Sequence, residues 1–290
     1  MPELLQPHAP MPFIVGVGRS GTTLLRLMLD SHPDMAVPPE FNWLEPVLLD
    51  LQKAKPDPGL IYRKIIQSQS WQDLGIPNTK LKQLAETHLE EGPEPFLRAI
   101  YQTYSHRVGK SRVGDKTPKN LLRMSQISHW IPEAYFIHII RDCRDVVYSW
   151  KNVWIGENST VTALARMWCE QLEAAERQKS GLPYYTEIRY EDLIRFPQKT
   201  LSDLCEKIQL DMHDKQLSYF TRTSDRLTEL KAMKHHRVIS AQERQEMFAQ
   251  VYQAPNPARI GRWKQGLSTA EVEQILDISA PKLLSLGYEI

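Results

Sequence analysis

The sequence of 290 residues predicts an α/β fold of the P-loop type, in which helices flank a parallel sheet. An apolar run over residues 13–17 breaks into a glycine-rich loop, and a helical pattern follows directly. Strand and helix patterns then alternate between residues 112 and 210, which is typical of doubly wound sheets. Ala134–Ile140 is apolar on both faces, as a central parallel strand should be. We therefore expect a single domain over residues 1–290.

The first half of the chain contains few strands after this opening. A second short strand is predicted at residues 35–37, and helices at 41–53 and twice between 80 and 109. Residues 55–80 contain several prolines and are expected to be irregular. Because residues 41–109 show no clear strand, we interpret them as a helical insertion over the carboxyl edge of the sheet.

The second half returns to alternating patterns. From residue 211 we expect helices, apart from a loop at 255–266, and Ser268 with Glu271 forms a capping box that opens the last helix. Before that point we predict strands at 112–114, 134–140 and 184–190, and helices at 120–130, 145–154, 160–178 and 200–210.

Composition excludes several classes of protein. The formal net charge of +1 and the pI of about 7.7 give no reason to expect nucleic-acid or membrane-surface binding. No apolar run approaches the ~20 residues of a membrane span, and the start of the chain lacks the features of a signal peptide. The three cysteines are too few and too scattered for a disulfide framework or a metal site. We expect a cytoplasmic protein without nucleic-acid or membrane partners.

The glycine-rich loop is suited to binding an anion. Gly16, Gly18 and Gly21 allow backbone N–H groups to turn inward, and the helix behind them presents the positive end of its dipole. Arg19 adds a charge and a fork of donors. The spacing half-matches the nucleoside-triphosphate P-loop, but Thr22 stands where that motif needs its lysine. A triphosphatase is therefore disfavoured.

Four short runs mark the stretch from the glycine-rich loop to Glu40: Arg19-Ser20-Gly21-Thr22-Thr23-Leu24, Met28-Leu29-Asp30, His32-Pro33-Asp34 and Glu40 itself. In these residues the stretch resembles the 5′-phosphosulfate loop of sulfotransferases that use 3′-phosphoadenosine 5′-phosphosulfate (PAPS), most closely that of the tyrosylprotein sulfotransferase group. The resemblance implies PAPS as cofactor, 3′,5′-adenosine bisphosphate as product, and nucleotide binding by Gly18, Arg19, Ser20, Gly21, Thr22 and Thr23.

A second stretch, from Arg141 to Ser149, resembles the 3′-phosphate motif of the same family. It follows the central strand, and its eight-residue spacing is a little over two turns of a helix, so both side chains can face one side. The planar fork of an arginine binds phosphate bidentately. The alternative interpretation is a surface ion pair between Arg141 and Asp145, which would contribute only about 0.3–0.5 kcal/mol.

Two later segments also resemble parts of the family's nucleotide site. Tyr190 lies in an Arg-Tyr-Glu-Asp-Leu run, where the resemblance implies a tyrosine near the adenosine. A core tyrosine at the end of a strand is the alternative. The late loop that closes over the 3′-phosphate is matched by Arg259, Ile260, Gly261, Arg262, Trp263 and Lys264.

Catalysis needs a base for the acceptor hydroxyl and cations for the charge on the departing oxygen. The resemblance assigns the base to Glu40, and burial under residues 41–109 would make it a better proton acceptor. Arg19 and Lys116 are the candidates to bind the sulfuryl and bridging oxygens, and no metal is required. Glu40 could instead start the next helix, and Lys116 could be a solvated turn residue.

The sequence predicts the acceptor substrate less specifically than the donor. The tyrosylprotein group carries basic residues shortly after its glutamate, but this chain has Phe41, Asn42 and Glu45 there. We therefore favour a small-molecule, lipid or glycan hydroxyl, bound at the surface of residues 41–109, over a protein tyrosine. A P-loop phosphotransferase and a non-catalytic module that binds adenosine bisphosphate are the other hypotheses.

Overall fold

A four-stranded parallel sheet lies at the centre of the computed structural model, which describes residues 9–42, 44–68, 70–153, 156–234 and 238–290. Its order is β4-β1-β5-β6, with β1 Met11–Val15, β4 Asp115–Lys116, β5 Ala134–Ile140 and β6 Tyr185–Arg189. Two smaller pairs are β2 (Met35–Ala36) with β3 (Arg112–Val113), and β7 (Met233–Lys234) with β8 (Val238–Ile239). The parallel sheet predicted from the sequence is confirmed.

Helices connect and cover the strands. Short 3-10 helices occur at Trp71–Leu74, Pro118–Arg123, Asp214–Gln216, Tyr219–Thr221, Ala249–Tyr252 and Pro257–Arg259. The α-helices are α1 Thr22–Asp30, α2 Leu44–Leu51, α3 Pro58–Gln67, α4 Asn78–His88, α5 Pro93–Arg107, α6 Met124–Trp130, α7 Cys143–Lys151, α8 Val161–Lys179, α9 Tyr190–Arg195, α10 Pro197–Lys207, α11 Thr223–Leu227, α12 Ala241–Glu246, α13 Trp263–Gly266 and α14 Thr269–Ser285. Residue 154, the predicted end of α7, lies outside the described residues.

Strands β1 and β5 are buried on both faces because their side chains alternate between two cores. Phe13 and Val15 pack among residues of α2 to α5, so the segment predicted as an insertion covers one face of the sheet. Ile14, Ile137 and Ile139 point the other way and pack with α1, α9 and α10. Full burial of such side chains contributes about 1.5–3 kcal/mol each.

The proline-rich stretch 55–80, expected to be irregular, contains α3 and a 3-10 helix. Pro58 occupies the first turn of α3, where its missing N–H costs nothing. The Asp57 side chain caps this helix by accepting from the N–H groups of Gly59 and Leu60 at 2.8 and 3.1 Å. The expectation was wrong because proline marks the start of this helix rather than its absence.

Beyond residue 211 the chain is less helical than expected. The β7–β8 hairpin and several helices of three to six residues precede α14. Neither α12 nor α13 buries a residue, and a short helix without a buried apolar face gains little stability from packing. The capping box of α14 is confirmed, since the Ser268 hydroxyl accepts from Glu271 N and Glu271 Oε2 accepts from Ser268 N. Among the described helices, none is long and apolar enough to span a membrane.

Candidate active site

The motifs predicted from the sequence meet at the carboxyl edge of the sheet. The phosphate loop follows β1, Arg141 follows β5, and Tyr190 follows β6. Lys116 is the last residue of β4 and pairs with Ile14, so it lies beside the point where the loop begins. This edge is where open parallel sheets bind ligands.

Three residues of the phosphate loop have backbone angles that shape it. Gly16 and Gly21 have φ values of 154° and 98°, and a Cβ at these positions would lie 2.5 Å from Ile139 O and 2.4 Å from the Tyr190 ring. Only glycine fits such close approaches. Arg19 also lies in the left-handed region, with φ at 72°, which is uncommon for a residue with a side chain.

The loop offers unused donors to an anion. The Ser20 hydroxyl is fully buried and has no hydrogen-bond partner among the described residues. Gly21 caps α1 without a side-chain hydrogen bond, so the first N–H groups of this helix remain open to a ligand. A buried polar atom is costly unless it is satisfied, and a phosphate oxygen would satisfy it. The 5′ end of PAPS fits these residues.

Two guanidinium groups, that of the half-buried Arg19 and that of the buried Arg141, add positive charge. Arg19 Nε donates to Ser149 Oγ at 3.0 Å and Nη2 to Met247 O at 3.2 Å, while Arg141 Nη1 donates to Arg19 O at 3.1 Å. Burial, together with the nearby charge of Arg141, lowers the pKa of Arg19 from 12.5 to about 10. Both causes disfavour the charged form of the Arg19 guanidinium, and a negatively charged group bound beside it would oppose them.

Asp145 anchors both the 3′-phosphate motif and the late loop. Its carboxylate lies 3.3 Å from Arg141, and it accepts from Gly261 N at 2.9 Å and Trp263 N at 3.0 Å. Arg141 Nη2 also donates to Arg259 O at 3.1 Å. The Arg141–Asp145 ion pair exists, but it is buried and not on the surface. The anchoring role of Asp145 was not predicted.

Arg259 is the predicted late-loop residue that lines the cleft beside the phosphate loop, whereas the others contact neighbouring parts of the protein. Arg259 lines the cleft, and Ile260 packs against the core beneath it. The Arg262 guanidinium lies 5.5 Å from the centre of the Tyr148 ring, on α7. Trp263 packs against Arg144 at 4.3 Å, also on α7. Nucleotide binding by Ile260, Gly261, Arg262 and Trp263 stays a prediction.

The cleft is narrow, with a volume of about 50 Å³, below the ~300–1,000 Å³ of typical small-molecule sites. Tyr190 stacks on Arg141 at 4.3 Å and contributes one wall. The predicted residues that line the cleft are Arg19, Gly21, Thr22, Thr23, Arg141, Tyr190 and Arg259. Gly18, Ser20 and Ser149 lie in the adjoining loop and helix.

Tyr219 and several residues between 248 and 256 supply a wall that the sequence did not reveal. Tyr219, Phe248, Gln250 and Asn256 line the cleft, and the Phe248 ring lies 5.7 Å from the Arg19 guanidinium. No motif marks these residues, because they belong to short helices and turns distant in sequence from the phosphate loop. The only sign of this wall in the sequence was an isolated aromatic residue, Phe248, in a polar segment.

Glu40 and Lys116 form a pair near the start of the phosphate loop. Glu40 Oε2 lies 3.5 Å from Lys116 Nζ, and Glu40 Oε1 accepts from Asn42 Nδ2 at 2.7 Å. Burial lowers the pKa of Lys116 below its usual value of 10.5, an effect that the Glu40 carboxylate opposes. Lys116 is therefore not a solvated turn residue.

One expectation for this pair needs correction. The Glu40 side chain is 33% exposed, so its burial is incomplete. Arg19 contacts Ser149, in the 3′-phosphate motif, and within the described residues no hydrogen bond joins it to Glu40 or Lys116. No group of three or more His, Cys, Asp or Glu side chains in the described part of the chain is arranged to hold a metal ion.

Comparison with known proteins identifies relatives along the whole chain. Protein-tyrosine sulfotransferase 1 of Danio rerio is 26% identical over 313 residues, covering 99% of this chain and 75% of that protein. Nodulation protein NoeE of Sinorhizobium fredii is 23% identical over an aligned region that covers 97% of this chain and 67% of that protein.

Solved structures share the fold. The sulfotransferase domain of the Synechococcus PCC 7002 olefin synthase has a TM-score of 0.67 and 20% identity, covering 97% of this chain and 95% of that one. The sulfotransferase domain from the curacin biosynthetic pathway has a TM-score of 0.58 and 19% identity, covering 97% and 99%. The model of the Sulfotransferase family matches residues 10–214. The chain belongs to the Sulfotransferase family, near its tyrosylprotein group, and is a sulfotransferase.

Proposed function

We propose that this protein transfers the sulfuryl group of PAPS to an acceptor hydroxyl, with Glu40 as the base, and releases 3′,5′-adenosine bisphosphate. The observation that supports this most is the 3.5 Å pairing of a partly exposed carboxylate with a buried ammonium beside the phosphate loop. A proton acceptor and a cation next to an anion site meet the needs of transfer to an alcohol.

Different residues of the chain would bind the two phosphate groups of PAPS. Ser20 and the first N–H groups of α1 would hold the 5′-phosphate, and Arg19, Arg141 and Ser149 the 3′-phosphate. When bound, PAPS supplies a sulfuryl group whose bond to the 5′-phosphate oxygen breaks as the acceptor oxygen bonds to sulfur. The rings of Tyr190 and Phe248 line the cleft in which the nucleotide would lie.

Glu40 and Lys116 act on opposite charges. Glu40 accepts the proton that the acceptor hydroxyl loses as it attacks. Lys116 stabilises the negative charge left on the phosphate oxygen, and its burial strengthens this interaction because little water screens it. Asn42, which donates to the other oxygen of Glu40, orients the carboxylate.

We propose an uncharged hydroxyl on a small molecule, lipid or glycan as the acceptor. The segment that follows Glu40 supports this, because Phe41, Asn42 and Glu45 carry no positive charge toward an acidic peptide.

Protein tyrosine is the second candidate acceptor. Curated relatives in Danio rerio and Gallus gallus are named protein-tyrosine sulfotransferases. Lys119 and Arg123 also lie 3.9 and 3.2 Å from Glu45, so cations from another element accompany the acid at this surface. Cations there would favour acidic acceptors.

Radiolabelled PAPS tests the proposal with a panel of small alcohols, phenols, lipids, glycans and acidic tyrosine peptides. We expect labelled product from an uncharged acceptor, and loss of turnover with retained adenosine-bisphosphate binding in Glu40→Gln. Activity confined to acidic peptides would make tyrosine the acceptor. Wild-type turnover in Glu40→Gln, or magnesium-dependent ATP turnover in place of sulfuryl transfer, would contradict the proposal.

A further inference from the structure

Four residues close a ring of contacts directly behind the Glu40–Lys116 pair. Phe41 N donates to Thr117 Oγ1 at 2.8 Å, and the Thr117 hydroxyl donates to Asp115 Oδ2 at 3.2 Å. The Tyr101 hydroxyl donates to the same Asp115 oxygen at 3.2 Å. The Tyr101 and Phe41 rings are stacked, with centroids 5.3 Å apart. The contacts therefore return to the residue from which they started.

Water has little access to this ring of contacts. Asp115 and Thr117 are 0% and 1% exposed, and Phe41 and Tyr101 are 2% and 5% exposed. Asn120 Nδ2 donates to the second oxygen of Asp115 at 3.0 Å, so both carboxyl oxygens are engaged. Because little water can replace a lost partner here, each hydrogen bond constrains the backbone more than an exposed one would.

The ring of contacts holds both partners of the reactive pair. Glu40 immediately precedes Phe41, and Lys116 lies between Asp115 and Thr117. The hydrogen bond from Phe41 to Thr117 thus ties the backbone next to Glu40 to the backbone next to Lys116. Movement of Phe41 would change the 3.5 Å separation of the two charged groups.

A second anchor precedes Glu40 in the chain. Val37 N donates to Asp30 Oδ1 at 2.8 Å, and Arg26 Nε donates to Val37 O at 3.0 Å. Residues 37–41 are therefore attached at one end to α1 and at the other to Thr117, directly after β4. The partly exposed Glu40 side chain takes its position from these two attachments.

We propose that Thr117, supported by Asp115, is a positioning residue that keeps the Glu40 carboxylate aligned with Lys116 for proton transfer. This inference rests on the proposed role of Glu40 as the base. Thr117 acts through the backbone of Phe41 and touches no reacting atom. Alignment matters because a displacement of about 1 Å at a reacting group can lower the rate about 100-fold.

Thr117→Val and Thr117→Ser form the matched test. Valine keeps the branched shape and removes the hydroxyl, whereas serine keeps the hydroxyl. We expect Thr117→Val to lower kcat by about 10- to 100-fold and to leave the Kd for adenosine bisphosphate within about twofold. We expect Thr117→Ser to recover most of kcat. Turnover is counted per nucleotide-binding site titrated by calorimetry, so a smaller folded fraction cannot imitate the effect.

Tyr101→Phe provides the same test without touching Thr117. It removes the hydroxyl that binds Asp115 and keeps the stacked ring, so we expect a smaller loss of kcat with unchanged nucleotide affinity. If Thr117→Val does not fold, as shown by thermal unfolding, the kcat of Tyr101→Phe decides the inference.

Glu40→Gln separates this inference from the proposed function. If Glu40→Gln is inactive while Thr117→Val, or Tyr101→Phe in its place, turns over like the parent, the positioning role is overturned and the base survives. Equal losses in Thr117→Val and Thr117→Ser would also overturn it, because the hydroxyl would then not be the cause. If Glu40→Gln is fully active, the proposed base itself fails.

Discussion

Arg141 and Asp145 form a buried ion pair, 3.3 Å apart, that connects the central strand to the late loop. The same carboxylate accepts the N–H groups of Gly261 and Trp263. Arg141 also donates to carbonyl oxygens of Arg19 and Arg259, on either side of the nucleotide cleft. Arg141 therefore helps to shape the cleft that it lines.

Replacing Arg141 should weaken nucleotide binding. We expect Arg141→Ala to cost about 1.5–3 kcal/mol in binding of adenosine bisphosphate, because a charge-assisted contact is lost. The variant should also unfold more easily, since Asp145 then keeps a buried charge without its cationic partner. Arg141→Lys should lose less affinity, because it retains charge but not the planar fork. Calorimetric titration measures the affinities, and equal affinity in all three proteins would contradict a phosphate-binding role.

A second prediction concerns the segment that carries Phe248. Arg244 binds the fully buried Asp73 carboxylate at 2.6 and 3.0 Å, and Asp73 also accepts from Lys231 N at 2.8 Å. This attachment fastens the segment that places Met247 O and the Phe248 ring against Arg19. This wall of the cleft is thus fastened by an ion pair to Asp73, in the 3-10 helix Trp71–Leu74.

We expect Arg244→Met to raise the Kd for adenosine bisphosphate by roughly three- to tenfold, through loss of order in this wall. The matched control is Arg63→Met, at an exposed arginine on α3, which should leave the Kd unchanged. Titration by calorimetry compares the two variants. An Arg244→Met protein that binds like the control would show that the wall does not depend on the ion pair.

The sequence was sufficient to predict local motifs, but not the contacts between segments that are distant along the chain. The positions of Arg19 and Arg141 at the carboxyl edge of the sheet could be predicted, because each arginine follows a strand in a short run whose composition suits anion binding. Asp145 belonged to such a run, but its bonds to Gly261 and Trp263 depend on the folded path of the late loop. Phe248 reaches the cleft through an irregular segment fastened by a distant ion pair, and residue spacing carries no trace of such a contact.

A third prediction concerns stability as a function of pH. Burial raises the pKa of Asp115 from 3.8 to about 7, against the opposing hydrogen bonds of Tyr101, Thr117 and Asn120 and the charge of Lys116. Between these two values the folded chain keeps a proton that the unfolded chain releases. The contribution of Asp115 to the free energy of unfolding therefore falls as the pH rises through this window, by at most about 1.4 kcal/mol per pH unit, and is constant above it.

Comparison with Asp115→Asn isolates this group, because asparagine does not ionise. Urea unfolding from pH 5 to pH 8 should show the stability of the variant rising relative to that of the parent up to about pH 7, then no further change. A constant difference between the two proteins over this range would show that Asp115 ionises at its usual pH.

The last prediction concerns Lys116, whose ammonium is buried 3.5 Å from Glu40. If it stabilises charge on the departing oxygen, Lys116→Met should lower kcat by about 100-fold or more, comparable to loss of an oxyanion donor elsewhere. Adenosine bisphosphate carries no sulfuryl group, so its affinity should change much less than kcat. Lys116→Arg should restore charge but fit poorly into a site built for a compact ammonium, and we expect only partial recovery. Single-turnover measurements with PAPS separate the chemical step from product release, and a Lys116→Met enzyme with an unchanged single-turnover rate would exclude this role.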